Sequence, residues 1–183
     1  MRLLIISDIH GDYEACKKVL EVKADKIIIL GDILKKNFRK EITSYGEDGE
    51  HISTLLNKYS DKIIAVRGNN DSLEDSYMFD FNTKKDYQEI EIDGIDFYIT
   101  HGHFYNKYDL PPIKKGSVLL NGHTHRADLS IEDGIYCVNP GSISLPREGN
   151  PSYCIYENGV FEIRELDTNK IVDRLEINNN IDK

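Results

Sequence analysis

The chain has 183 residues, 39% of them hydrophobic and 30% charged, which fits one globular domain over 1–183 and argues against bulk disorder. A formal charge of −9 argues against coating nucleic acid or an anionic membrane, because such binding is driven by basic patches and counterion release. The three cysteines, Cys16, Cys137 and Cys154, are odd in number and never form a C-x-x-C pair, so the sequence supports neither a disulfide framework nor a zinc knuckle and fits a reducing cytoplasm.

The amino terminus, Met1 to Ile6, carries one charge and four apolar residues with no cleavage site, and reads as a strand. No run approaches the about 20 apolar residues of a membrane span. The strand 2–6 empties into Ser7-Asp8-Ile9-His10-Gly11-Asp12, and a helical period follows from Asp12, the expected N-cap, to Val22. Lys26 to Leu30 predicts a second buried strand running into Gly31-Asp32. Residues 35–50 are polar and mixed in charge and read as a surface excursion, followed by the helical stripe Ile52, Leu55, Leu56, Tyr59. A third strand, 62–67, ends at Gly68-Asn69-Asn70-Asp71, and Asp71 would cap a short helix. Strands alternating with helices predict a parallel sheet, with ligands bound outside the carboxyl ends of its strands.

After residue 86 the pattern alternates polar and apolar, with hairpin signals at Asp93-Gly94, Asp133-Gly134 and Asn158-Gly159. This half is expected to be mostly antiparallel, giving two sheets face to face with helices outside. Exposed edge strands there are compatible with a homodimer or homotetramer. Asn178-Asn179-Asn180 is expected to fray.

Five of the six histidines fall in three short clusters, each just after an apolar run: His10, His101 with His103, and His123 with His125. Imidazole is the commonest metal ligand, and clustered His with Asp at strand ends suits a metal site. Each cluster alone has an ordinary reading, since Asp, Asn and Gly are default turn residues and a lone histidine pair is often structural. Asp-x-His, Gly-Asp, Gly-Asn and two His-x-His pairs at successive strand ends make coincidence a poor account.

This order of motifs, Asp8-x-His10, Gly31-Asp32, Gly68-Asn69-Asn70-Asp71, His101-Gly102-His103 and Gly122-His123-Thr124-His125, resembles the calcineurin-like metallophosphoesterases. It is most similar to the small bacterial and archaeal phosphodiesterases of the YfcE type, and Asn139-Pro140-Gly141-Ser142 extends the likeness toward the carboxyl end. The resemblance implies a four-layer α/β/β/α sandwich of two mixed sheets flanked by helices, and a cytoplasmic enzyme that hydrolyses a small soluble phosphodiester by in-line attack of a metal-bridging hydroxide. Two divalent ions are implied, manganese first, with nickel, iron, zinc or magnesium as alternatives. Asp8, His10 and His125 would hold one, Asn69, His101 and His123 the other, and Asp32 would bridge them. The histidines must be neutral to bind, so activity is expected to fall as they protonate.

Many members of the superfamily carry a histidine after the motif asparagine, where this chain has Asn70. A carboxamide can hydrogen-bond a phosphoryl oxygen but cannot protonate a leaving group, which predicts dependence on good leaving groups or a substitute acid, with His103 as the candidate and a purely orienting role as its alternative. Ser142 and Arg147 are weaker candidates for substrate contact, Arg147 as a planar fork on phosphate. A phosphomonoesterase on the same site, or a non-catalytic scaffold like the retromer subunit of this fold, are the competing readings.

Overall fold

The computed structural model describes residues 1–34 and 47–177. Its first sheet has the order β11-β10-β9-β1-β2-β3, formed by β1 (Arg2–Ile6), β2 (Lys26–Ile29), β3 (Ile63–Ala65), β9 (Ser152–Glu157), β10 (Val160–Glu165) and β11 (Ile171–Glu176). The second has the order β4-β5-β6-β8-β7, formed by β4 (Tyr87–Ile92), β5 (Ile95–Thr100), β6 (Val118–Leu120), β7 (Ala127–Glu132) and β8 (Ile135–Pro140).

The continuous apolar runs of β1 and β2 arise because both faces of these strands are buried. With a period of two, Leu4, Ile6, Ile27 and Ile29 face the helices α1 (Tyr13–Val19) and α2 (Glu47–Asn57), packing with Cys16, Val19, Ile52 and Leu56. Leu3, Ile5, Ile28 and Leu30 face inward and meet Phe97, Ile99, Val118, Leu120 and Val138 of the second sheet. The Asp12 side chain accepts from the Ala15 amide and caps α1 as expected. At the three hairpin signals Asp93, Asp133 and Asn158 each adopt positive φ ahead of a positive-φ glycine, as type I′ turns require.

The two mixed sheets are as expected, while several details differ. β5, β6 and β8 run parallel to one another, so the second sheet is parallel at its centre and antiparallel only where β4 and β7 pair at its edges. The three parallel strands β1, β2 and β3 of the first sheet are thereby matched by three in the second. Residues 47–50 belong to α2 rather than to a surface excursion: the helix begins ahead of Gly49, whose helix penalty of about 1 kcal/mol is overridden by packing of the Ile52 and Leu56 face. Residues 35–46 of that stretch, and Asn178-Asn179-Asn180, lie outside the described residues. The fourth layer is built from Tyr105, Leu110 and Ile113 of the loop after β5, packed on Tyr98, Leu119, Ile135 and Cys137, and is not helical among the described residues. No described helix is long and apolar enough to cross a membrane.

Candidate metal centre

The clusters converge at the carboxyl ends of the parallel strands, on the seam between the sheets. Past β1 and β2 the backbone ladder continues: the Asp8, His10 and Gly11 amides donate to the carbonyls of Gly31, Asp32 and Ile33 at 3.2, 2.9 and 3.0 Å. In the second sheet the Gly122 amide donates to the His101 carbonyl at 2.7 Å. Asp8, His10, Asp32, His123 and His125 all have φ between 48° and 67°. This left-handed conformation is uncommon for residues other than glycine and costs of order 1–2 kcal/mol each, so the surrounding bonds must hold it.

Asp8 is fully buried. Its Oδ2 accepts from Ser7 Oγ at 2.6 Å and from the His123 amide at 3.0 Å. Its Oδ1 has no hydrogen-bond partner and lies 3.2 Å from His125 Nε2 and 3.5 Å from His10 Nε2. The two Nε2 atoms are 3.1 Å apart. Asp32 Oδ2 sits 3.7 Å from His10 Nε2 and 3.5 Å from His101 Nε2, between the two histidines. Asn69 Oδ1 lies 2.9 Å from His101 Nε2.

Carbonyl oxygens fix two imidazole tautomers. His101 Nδ1 is 2.7 Å from the Leu30 carbonyl and His125 Nδ1 is 2.6 Å from the Leu145 carbonyl. A carbonyl only accepts, so each Nδ1 carries hydrogen and each neutral Nε2 presents its lone pair to the site, the outer-shell arrangement usual for metal-binding histidines. Burial opposes charge on Asp8, yet its contacts with His10 and His125 hold the carboxyl well below the usual range. Burial likewise opposes charge on His101, but Asp32 and Asp8 raise it to about 8. His125 is raised by Asp8 against its burial, whereas burial and neighbouring histidines lower His103 and His123.

The residues present fit divalent metal. Asp8, His10 and His125 form one group able to hold an ion and Asp8, Asp32 and His101 form another, so Asp8 belongs to both. An unpartnered buried carboxylate oxygen facing two converging imidazole nitrogens is an unfavourable arrangement that a cation resolves. His123 stands at the edge of the cluster, half-buried, its ring edge-on to His101 with centroids 5.1 Å apart.

The other expected residues separate. The Asn70 amide donates to Asp32 Oδ1 at 2.8 Å and Asn70 Nδ2 to Asp32 Oδ2 at 2.6 Å, so this residue orients the carboxylate. His103 is half-buried beside His101, its Nδ1 without a hydrogen-bond partner. Ser142 is fully buried, and its hydroxyl donates to the Asp8 carbonyl at 2.8 Å and accepts from the Leu145 amide at 2.8 Å, a supporting rather than a substrate-facing position. Arg147 is exposed, close enough for its charge to lower the tendency of His125 to protonate, and its amide donates to the His125 carbonyl at 3.0 Å.

Asp71 does not cap a helix. Its carboxylate accepts from the amides of Asp32, Ile33 and Gly68 at 2.7, 2.9 and 2.8 Å and ties the ends of β2 and β3 together. Ser72 and Asp75 instead bond each other reciprocally where a short 3-10 helix, Asp75–Met78, begins. Ser7, Asp71 and Ser144, whose hydroxyl donates to the Asp8 carbonyl at 3.0 Å, support the ligand candidates in roles that the motifs do not announce. Ser7 bonds the carboxylate next to it in sequence, whereas two of the three amides that Asp71 accepts from belong to the end of another strand. At Gly122 a Cβ would fall 1.8 Å from Ser7 Oγ and 2.8 Å from Asp8 Oδ2, so only glycine admits that carboxylate.

Two sheets that bring carboxylates, imidazoles and a carboxamide to one seam, with a buried carboxylate oxygen left for a cation, form a candidate divalent-metal centre. Residues 1–159 match the calcineurin-like phosphoesterase superfamily domain, and the chain belongs to that family of metal-dependent phosphoester hydrolases. It is 34% identical to the phosphodiesterase YfcE of Escherichia coli (strain K12) over 97% of this chain and 99% of the relative. It is 29% identical to the phosphodiesterase MJ0936 of Methanocaldococcus jannaschii over 91% and 98% of the two chains. The solved structure of YfcE, a phosphoesterase from E. coli, superposes with a TM-score of 0.90 at 33% identity, covering 97% of this chain and 100% of that one. Vacuolar protein sorting 29 from Cryptosporidium parvum shares the fold, with a TM-score of 0.62 at 17% identity over 96% and 97% of the chains.

Proposed function

We propose that this chain, as a single domain over 1–183, is a phosphodiesterase acting on a small soluble diester in the cytoplasm. Asp8, His10 and His125 would hold one divalent ion and Asn69, His101 and His123 the other, with Asp32 shared between them. The central position of Asp32 Oδ2, nearly equidistant from His10 and His101, supports the bridging role. Manganese is the preferred ion, with nickel, iron, zinc and magnesium as the competing metals. When bound, such a pair supplies Lewis acidity and an acidified water for in-line displacement at phosphorus.

The protein's own groups do the rest. Leu30 and Leu145 hold the imidazoles of His101 and His125 in the ligating tautomer. Asn70 fixes Asp32 through both oxygens and has no proton to give near neutral pH. That is the observation favouring a diester: without an acid at this position the reaction depends on a good leaving group or on His103, the titratable neighbour. Two carboxylates against two divalent ions leave a positive centre suited to an anionic phosphoester, and Arg147 extends that charge toward solvent. The chain's formal charge of −9 supports small substrates over bulk nucleic acid, and exposed strand edges support a small homo-oligomer.

Manganese-loaded protein is expected to hydrolyse an aryl phosphodiester faster than the monoester of the same leaving group, and to stop with chelator or Asp32→Asn. Activity surviving chelation refutes the reading, and a faster monoester reassigns it to phosphomonoesterase. Full metal occupancy without hydrolysis of any ester would indicate a scaffold of the Vps29 kind. His103→Gln is expected to lower turnover while metal content holds; equal loss of both would place His103 among the ligands.

A further inference from the structure

The loop after β5 divides its apolar side chains. Tyr105, Leu110 and Ile113 turn inward and complete the small core against Tyr98 and Leu119, with Tyr105 edge-on to Tyr98 at 6.0 Å. Phe104 is left out: it is 57% exposed, and its ring lies against the His103 imidazole with centroids 4.1 Å apart and planes tilted by 40°. His103 in turn is 5.4 Å from the ring of His101 and 6.2 Å from that of His123. A file of rings therefore leads from the candidate metal centre to solvent and ends on the open face of a phenylalanine.

A single exposed apolar residue needs no explanation by itself. This one sits on a rigidly held segment. Asn106 Nδ2 donates to the Gly102 carbonyl at 3.1 Å, bracing the turn between His101 and His103. Asn106 and Asp109 exchange backbone bonds at 3.1 Å, and the Tyr108 amide donates to Asn106 Oδ1 at 2.9 Å. The ring is thus pre-positioned beside the reaction centre, where a planar group can stack at little ordering cost. The core gains nothing from it.

Resting on the phosphoesterase reading above, we infer that Phe104, backed by His103, is a specificity-determining platform on which a flat group of the substrate, an aryl ring or a nucleobase, stacks while its phosphate lies at the metal centre. Stacking of a base on an aromatic side chain is worth about 1–3 kcal/mol, which corresponds to about 5- to 150-fold in affinity.

The test measures binding of four phosphates to manganese-loaded protein by calorimetry: phenyl phosphate against methyl phosphate, and adenosine 5′-monophosphate against ribose 5-phosphate. Wild type is expected to bind the ring-bearing member of at least one pair more tightly, by about 5-fold or more. Phe104→Ala is expected to abolish that preference while leaving methyl phosphate and ribose 5-phosphate unchanged. Phe104→Trp should retain it, and Phe104→Leu, apolar but not flat, should not. Preference in the first pair alone identifies an aryl group, and preference in the second a nucleobase. Equal loss of all four ligands in Phe104→Ala, or an undiminished preference, overturns the platform while leaving the phosphoesterase reading intact. Absence of any ring preference in wild type likewise overturns the platform, while the diester assay above tests the phosphoesterase reading separately.

Discussion

Removing the metal should invert the pH dependence of stability. His101 is fully buried and, without a cation, is raised from 6.5 to about 8 by Asp32 and Asp8 acting against burial. The folded metal-free protein therefore binds this proton more tightly than the unfolded chain. The contribution is fully present below pH 6.5 and is lost as pH rises through about 8. A displacement of this size is worth about 2 kcal/mol, or about 4 to 8 °C in Tm for a chain of this length. His125, also raised, adds in the same direction. His103 and His123 are lowered, so they oppose this fall only around and below pH 6.5, where the unfolded chain still takes up their protons. Asp8 and Asp32, lowered below 3.8, titrate far beneath it. With metal bound, protons compete with the ligated nitrogens and stability should instead rise with pH. The assay is differential scanning calorimetry of chelator-dialysed and manganese-loaded protein at pH 6.5, 7.5 and 8.5. A metal-free Tm that stays level or climbs over this range would refute the reasoning, as would an undiminished fall in His101→Gln.

Three substitutions away from the ligands test the supports. Asp71→Asn replaces an acceptor of three amide bonds with a group that must turn a donor toward one of them; it is expected to cost about 2–3 kcal/mol and to weaken metal affinity, measured by denaturant unfolding and metal titration. Gly122→Ala sets a methyl against Ser7 Oγ and Asp8 Oδ2 and should destabilise by about 1–3 kcal/mol with loss of bound metal; unchanged metal content in elemental analysis would contradict the close approach. Ser142→Ala removes a buried hydroxyl shared by the Asp8 carbonyl and the Leu145 amide, so it should lower Tm and metal occupancy together, whereas a rise in KM alone would restore it as a substrate contact.

The metal-ligand candidates were legible because they sit in the short exits just past their strands: strand direction fixes where Asp8, Asp32, Asn69, His101 and His123 emerge, and polarity marks the point of exit. What escaped is fixed by partners elsewhere. Asp71 looked like a helix cap because Asp before a polar turn usually is one, and only the approach of β2 to β3 gives its carboxylate three amides. Ser142 read as a site residue from its motif, but which way its hydroxyl points depends on the Asp8 carbonyl across the seam. The parallel centre of the second sheet was hidden because hairpin signals announce antiparallel neighbours, while β6 is joined to β5 by a long loop that carries no such mark. β11 carries Ile171, Val172 and Leu175 on a largely exposed edge, with no buried face to impose a period.

His101 grows from the second sheet yet is tethered by its Nδ1 to Leu30 of the first, and the Asp8 carbonyl of the first sheet is gripped by Ser142 and Ser144 from beyond the second. The gap between the ligands that each sheet contributes is therefore measured out by the side chains lying between the sheets, Leu3, Ile5 and Ile28 against Phe97, Ile99 and Val118. The hydrophobic interior acts as a spacer with the coordination site at its rim. A smaller residue at Phe97, remote from any ligand, would let the sheets settle toward each other and change the bite offered to the metals before it unfolded the protein.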